Sequence, residues 1–149
     1  MYNMKNRLFS LFVFALFSTM SFAYGFEVDK LYYTKLSNNE VSVSKSYSQK
    51  SVIEIPSKVE YNGEEYSVTK IESSTFWGCS SLECVEIPSS VTSIGNYAFC
   101  NCSSLASVTI PSSVTNIGWG AFDGCLSLAS VTIPSSVTKI ESSTFCECI

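Results

Sequence analysis

The chain has 149 residues, with 9 Lys+Arg, 13 Asp+Glu, seven cysteines and no histidine. That length suits a single domain, and the missing histidine removes His-ligated metals, Ser-His and Cys-His catalytic pairs and imidazole acid–base chemistry together. Lys5 and Arg7 fall in a segment read below as a removable leader; beyond it stand 7 lysines, 13 acidic residues and no arginine, a balance that disfavours nucleic acid and anionic membrane surfaces as partners.

Residues 1–23 read as a signal peptide. Lys5 and Arg7 form a basic n-region, and Leu8 to Phe17 form a ten-residue apolar run. Ser21-Phe22-Ala23 supplies small residues for cleavage before Tyr24. An apolar run of that length is too short for a ~30 Å hydrocarbon core. The expectation is a secreted or cell-surface protein with no membrane insertion once the leader is removed. No cysteine precedes Cys79, so no lipid attachment can follow the apolar run.

Residues 24–70 read as a β-rich N-terminal cap. Apolar residues alternate in Leu31-Tyr32-Tyr33 and Val41-Ser42-Val43, with Asn38-Asn39 between them as a turn. Val52-Ile53-Glu54-Ile55 stops at Pro56. Over 59–68, Asn62-Gly63 sits between tyrosines, and this pair predicts a hairpin, because a type I′ turn requires positive φ at both central positions.

From residue 71 to 149 the chain repeats itself every 23 residues. Ile71, Ile94, Ile117 and Ile140 keep one phase; Phe76, Phe99, Phe122 and Phe145 keep a second; Cys79, Cys102, Cys125 and Cys148 keep a third. Residues 94–116 and 117–139 are identical at 17 of 23 positions. A unit this small cannot bury its own apolar face, so in-phase apolar ladders predict a solenoid of stacked coils, the last one incomplete.

Within a unit, Leu105-x-x-Val108-x-Ile110 reads as a short main strand with Val and Ile inward, ended by Pro111. Ser112-Ser113 makes a corner, Val114 to Ile117 a second short strand broken by Gly118, and Ala121 to Cys125 a single helical turn. By the same phase Val131, Thr132 and Ile133 belong to a main strand.

The pattern Leu-x-x-Val-x-Ile-Pro-x-Ser-Val-x-x-Ile-Gly-x-x-Ala-Phe-x-x-Cys resembles the BspA-like class of leucine-rich repeats, over about residues 52–149. The resemblance implies an α/β, β-dominated right-handed leucine-rich-repeat solenoid on surface or secreted proteins of host-associated microbes, linked to adhesion to host matrix proteins and to co-aggregation. Ile71-Glu72 and Ile140-Glu141 depart from the usual Ile-Gly, and Thr75 and Thr144 replace the Ala before Phe.

Four cysteines occupy the 23-residue ladder, where a small buried apolar residue is wanted, so they are expected as buried free thiols. Cys100 and Cys146 share another phase, and Cys84 stands where Ser107 and Ser130 stand. Cys-x-Cys spacing without histidine argues against zinc. No catalytic, cofactor-binding or metal-binding constellation emerges, no cofactor is implied, and the abundant serines read as turn residues.

The outward positions of the main strand, Glu86, Thr109 and Thr132, together with Trp77, Tyr97 and Trp119 at non-ladder positions, are the candidate ligand contacts. The expected function is a non-enzymatic, exported binding protein whose partner is an extracellular matrix or surface protein. The alternative is a structural or assembly element, or a fragment of a larger repeat protein, self-associating end to end through an uncapped C-terminal coil.

Overall fold

The computed structural model describes residues 25–148, so the expected leader lies outside the described residues. The strands are β1 (Phe26–Val28), β2 (Leu31–Lys35), β3 (Glu40–Ser46), β4 (Val52–Glu54), β5 (Lys58–Tyr61), β6 (Glu64–Ile71), β7 (Cys84–Glu86), β8 (Ser93–Ile94), β9 (Ser107–Thr109) and β10 (Asn116–Ile117). They form two sheets. The larger runs β1-β2-β3-β6-β8-β10 with β5 on the side of β6, and the smaller runs β4-β7-β9.

Local turn chemistry sets the N-terminal part. Asn62 and Gly63 both take positive φ, at 54° and 77°, and close β5 against β6 with Val59 opposite Tyr66. Asp29 and Lys30, at 51° and 66°, close β1 against β2 in the same way. Inward rings then seal this end: Phe26 stacks on Tyr61 at 4.2 Å and on Tyr33 at 5.5 Å. Lys35 donates to the Tyr66 hydroxyl, which donates to Glu64, holding the hairpin against β2.

Pairing switches from antiparallel to parallel at β3. This strand runs antiparallel to β2 and parallel to β6, with a register shift between Val41 and Ser42. From β6 onward every inter-coil pair in both sheets is parallel: β6 with β8, β8 with β10, β4 with β7, and β7 with β9. The 23-residue phase is therefore a spatial register, with Lys70 beside Ser93 and Ser93 beside Asn116.

The interior is made of the sequence ladders. Phe76, Phe99 and Phe122 are fully buried. Successive rings of the phenylalanine ladder stack at 5.0, 5.2 and 5.4 Å with planes within 6° of parallel. Enclosing each ring contributes about 1.5–3 kcal/mol. Leu82 and Leu105, Ile71, Ile94 and Ile117, and Val91 and Val114 fill the rest. Between coils, Thr92 and Thr115 hydroxyls donate to the carbonyls of Thr69 and Thr92, and Ser113 and Ser136 to those of Val91 and Val114. The serines supply donors to the corner carbonyls of Val91 and Val114, whereas the threonines add a second bond to carbonyls that already accept the backbone N–H of the next coil.

Two expectations change on inspection. The expected helical turns are single tight turns closed by three-residue bonds, such as Cys125 N–H to Phe122, and no helix occurs among the described residues. Five residues cannot repay helix nucleation. The main strand expected around Val131, Thr132 and Ile133 does not form; Thr132 lies outside any strand. Coil backbones approach so closely at Gly95 and Gly118 that a Cβ would lie 2.5 Å from the nitrogen of Ser73 or Asn96. Unit four carries Glu141 there instead, and its coil bonds to unit three along the turns, through Phe122 N–H to Thr144 and Gly124 N–H to Cys146.

Candidate functional site

On β4-β7-β9 the alternation puts Ile53, Val85 and Val108 inward and leaves two outward rows. One row is Glu54, Glu86 and Thr109, each the direct register partner of the next; the other is Val52, Cys84 and Ser107. Glu86 and Thr109 thus stand side by side, as their shared phase predicts. Glu54 was not anticipated. Ile53-Glu54-Ile55-Pro56 matches Val85-Glu86-Ile87-Pro88, but the β5–β6 hairpin displaces it from the 23-residue phase. Two neighbouring carboxylates cost stability in a parallel pair and make this face acidic.

The aromatic candidates lie elsewhere on the coil. Tyr97 and Trp119 meet at 4.7 Å with rings at 79°. Asn96 holds Trp119 of the next coil in place, its side-chain oxygen accepting the Trp119 backbone N–H at 3.0 Å. Trp77 is 62% exposed and joins neither group. The six predicted contacts therefore fall into the pair Glu86 and Thr109, the pair Tyr97 and Trp119, and two that stand apart, Trp77 and Thr132.

Two concavities accompany these surfaces. A cleft of about 900 Å³ lies beside β4, bordered by Leu31, Tyr33, Lys50, Val52, Glu54 and Lys58. A smaller groove of about 270 Å³ runs along the β6-β8-β10 side past Asn96, Asn116 and Trp119.

The thiols have no reactive setting in the ladder. All seven cysteines are free. The Cys102, Cys125 and Cys148 thiols donate to the carbonyls of Phe76, Phe99 and Phe122 at 3.1 to 3.2 Å. Burial pushes the Cys125 thiol up to about 12 and raises Cys102 further, so both stay protonated and unreactive. Burial and the Asp123 charge also raise Cys100. Among the described residues, no group of three or more Cys, Asp or Glu is placed to hold a metal ion.

Comparison with known proteins agrees with this architecture. A family model described as a BspA type leucine rich repeat region matches residues 24–149 in six copies. The crystal structure of a leucine-rich repeat protein from Bacteroides ovatus is similar over 84% of this chain and 33% of its own, at 35% identity and a TM-score of 0.80. One from Bacteroides capillosus is similar over 76% of this chain and 85% of its own, at 30% identity and a TM-score of 0.71. A leucine rich cell surface protein from Faecalibacterium prausnitzii is similar over 83% of this chain and 40% of its own, at 28% identity and a TM-score of 0.65. This chain thus spans about a third of the Bacteroides ovatus protein's length. No curated protein matches it.

Proposed function

Because the chain belongs to the BspA-type leucine-rich repeat family, we propose that it is an exported binding protein whose β4-β7-β9 face docks a surface or matrix protein. The observation that carries this reading is the register of Glu54, Glu86 and Thr109, which lines up outward side chains of three coils into one row. A solenoid sheet tuned residue by residue in this way is an interaction surface rather than a catalytic one. The acidic pair favours a partner with a basic complementary patch. Adhesion at the cell surface follows from combining this face with the leader-like residues 1–23.

The test is saturable binding to immobilised fibronectin, fibrinogen and similar matrix proteins. Glu86→Lys and Thr109→Arg change outward groups while leaving Val85 and Val108 inward. The expected result is micromolar binding by the unaltered chain and a loss of tenfold or more in the double variant. No binding at micromolar concentration overturns the ligand class.

A second reading, end-to-end self-association as an assembly element, is supported by the position of β4 at the edge of its sheet. Val52 on that strand is 51% exposed. Backbone groups on an open edge accept a further strand. Light scattering separates the readings: a clean monomer at all concentrations removes the second.

A further inference from the structure

The groove beside Trp119 is bounded by features that recur from coil to coil. Its outer row is Lys70, Ser93 and Asn116, one side chain per coil in direct register. Its floor is Gly95 and Gly118, whose positions carry glutamates in units one and four. Those glutamates are paired with lysines, Lys70 with Glu72 at 3.2 Å and Lys139 with Glu141 at 2.8 Å. The result is a shallow trough lined also by Ile94, Asn96 and Trp119, with an ion pair toward each end. Trp119 forms the aromatic part of the wall, 43% exposed and fixed by Tyr97 and by the Asn96 bond to its backbone.

This chemistry selects against polyanionic ligands. The lysines at the ends are balanced by adjacent glutamates, so the trough carries no net charge for a phosphate or a polyanion. Its floor lies just past the ends of β8 and β10, and Ile94 and Trp119 are the large apolar side chains that line it. It offers a hydroxyl or amide group per coil and an indole, whose electron-rich face attracts polarised C–H groups. The coil pitch, 5.0 to 5.4 Å along the phenylalanine stack, is close to the length of one sugar residue in an extended chain.

We propose that this trough binds a neutral, linear glycan of 1,4-linked pyranoses, one sugar residue per coil, with a ring packed on Trp119 and hydroxyls bonded to Ser93 and Asn116. Asn96 adds a donor, since its side-chain oxygen is already occupied by the Trp119 N–H. The site lies apart from the β4-β7-β9 row, so it stands or falls independently of the protein ligand proposed for that row.

The chain has two tryptophans, so Trp77→Phe leaves Trp119 as the single indole reporter. Titrating this variant with maltohexaose, cellohexaose, xylohexaose and chitohexaose up to about 10 mM should give a saturable fluorescence change for at least one, with a dissociation constant on the order of 1 mM or below. Calorimetry on the unaltered chain should give the same constant. Trp119→Ala should abolish the binding heat. Asn116→Ala, a change at an exposed strand position, should weaken binding about fivefold or more with an unaltered circular dichroism spectrum. Absence of saturation with all four neutral hexasaccharides overturns the proposal. So does binding that survives both substitutions, or a hexagalacturonate or hexapeptide that binds more tightly than every neutral glycan.

Discussion

The Cys125 thiol donates to the carbonyl oxygen of Phe99 at 3.2 Å, one coil back and on the inner side of the turn. Cys102 makes the same bond to Phe76 at 3.1 Å. The ladder cysteine is therefore a small apolar filler and also gives a second bond, from the next coil, to a carbonyl that already accepts the N–H closing its own turn, as Phe99 accepts from Cys102 at 3.2 Å. Cys125→Ala removes both roles and should cost about 1–3 kcal/mol in urea unfolding. Cys125→Ser keeps a donor and should cost less than alanine. A serine variant as unstable as the alanine variant would show that the sulfur only fills space.

Burial of these thiols fixes a direction for alkaline pH. A free thiol ionises near 9.0, whereas folded Cys125 is pushed up to about 12 by burial. The unfolded chain therefore releases protons first as pH rises, which draws the equilibrium toward unfolding. Stability should be fully retained below pH 9 and decline between pH 9 and 12. Denaturant midpoints across that range check the sign. At pH 8, iodoacetamide should label exposed Cys146 in the folded protein before it reaches Cys102 or Cys125.

Gly118 and Gly78 separate two reasons for glycine. At Gly118 an added Cβ would meet the Asn96 nitrogen and side-chain oxygen at 2.5 Å, whereas at Gly78 it would meet nothing within 4 Å and only the φ of 71° is unfavourable. Gly78→Ala should cost about 1 kcal/mol. Gly118→Ala should cost about 3 kcal/mol or more, because backbone cannot yield as a side chain does. Equal losses in a thermal melt would contradict the close approach.

Ser74, Tyr97, Gly120 and Ser143 occupy one left-handed column, with φ between 55° and 59°. Ser74→Gly should stabilise the fold by about 0.5 kcal/mol, strain relief exceeding the added freedom of the unfolded chain. Gly120→Ser should destabilise it, since a Cβ there lies 2.7 Å from the Tyr97 ring. Trimming that ring with Tyr97→Ala should recover part of the loss, a coupling measurable in a double-mutant cycle.

Thr75 and Thr144 occupy the position of Ala98 and Ala121, yet they bond differently. The Thr75 hydroxyl reaches Glu72 at 2.8 Å and Val43 on β3 at 3.0 Å, so it ties the repeats to the N-terminal strands. The Thr144 hydroxyl reaches Glu141 within its own turn at 2.7 Å. Thr75→Ala should cost about 1–2 kcal/mol and Thr144→Ala under about 1 kcal/mol. Chemical denaturation of the two variants tests the order.

Periodicity made the solenoid legible in advance. Ladders at Ile71, Phe76 and Cys79 project directly onto the core, and Asn62-Gly63 announced its turn through the one backbone geometry it serves. The partnership of β3 with β6 was not legible, because Val41 and Val43 carry no 23-residue signature and their pairing includes a register shift. Thr132 was misplaced for a related reason: phase records what a position resembles, not whether its neighbour lies close enough to bond. The candidate contacts were read from the same phase, which grouped Glu86 with Thr109 but could not see Glu54 across the inserted hairpin.

Within the 23-residue repeats, the side-chain bonds between coils span 22, 23, 24 or 26 residues, as in Ser113 to Val91, Thr115 to Thr92, Ser127 to Ser103 and Cys125 to Phe99. Each partner therefore sits at its counterpart's place in the adjoining unit, or within a few residues of it. Duplicating or excising 23 residues by unequal recombination would leave every such bond with an equivalent partner, shifting the surface by one pitch without opening the core. Change by any other number would break the phenylalanine stack. Heredity can thus lengthen or shorten this scaffold in whole coils far more readily than it can edit one.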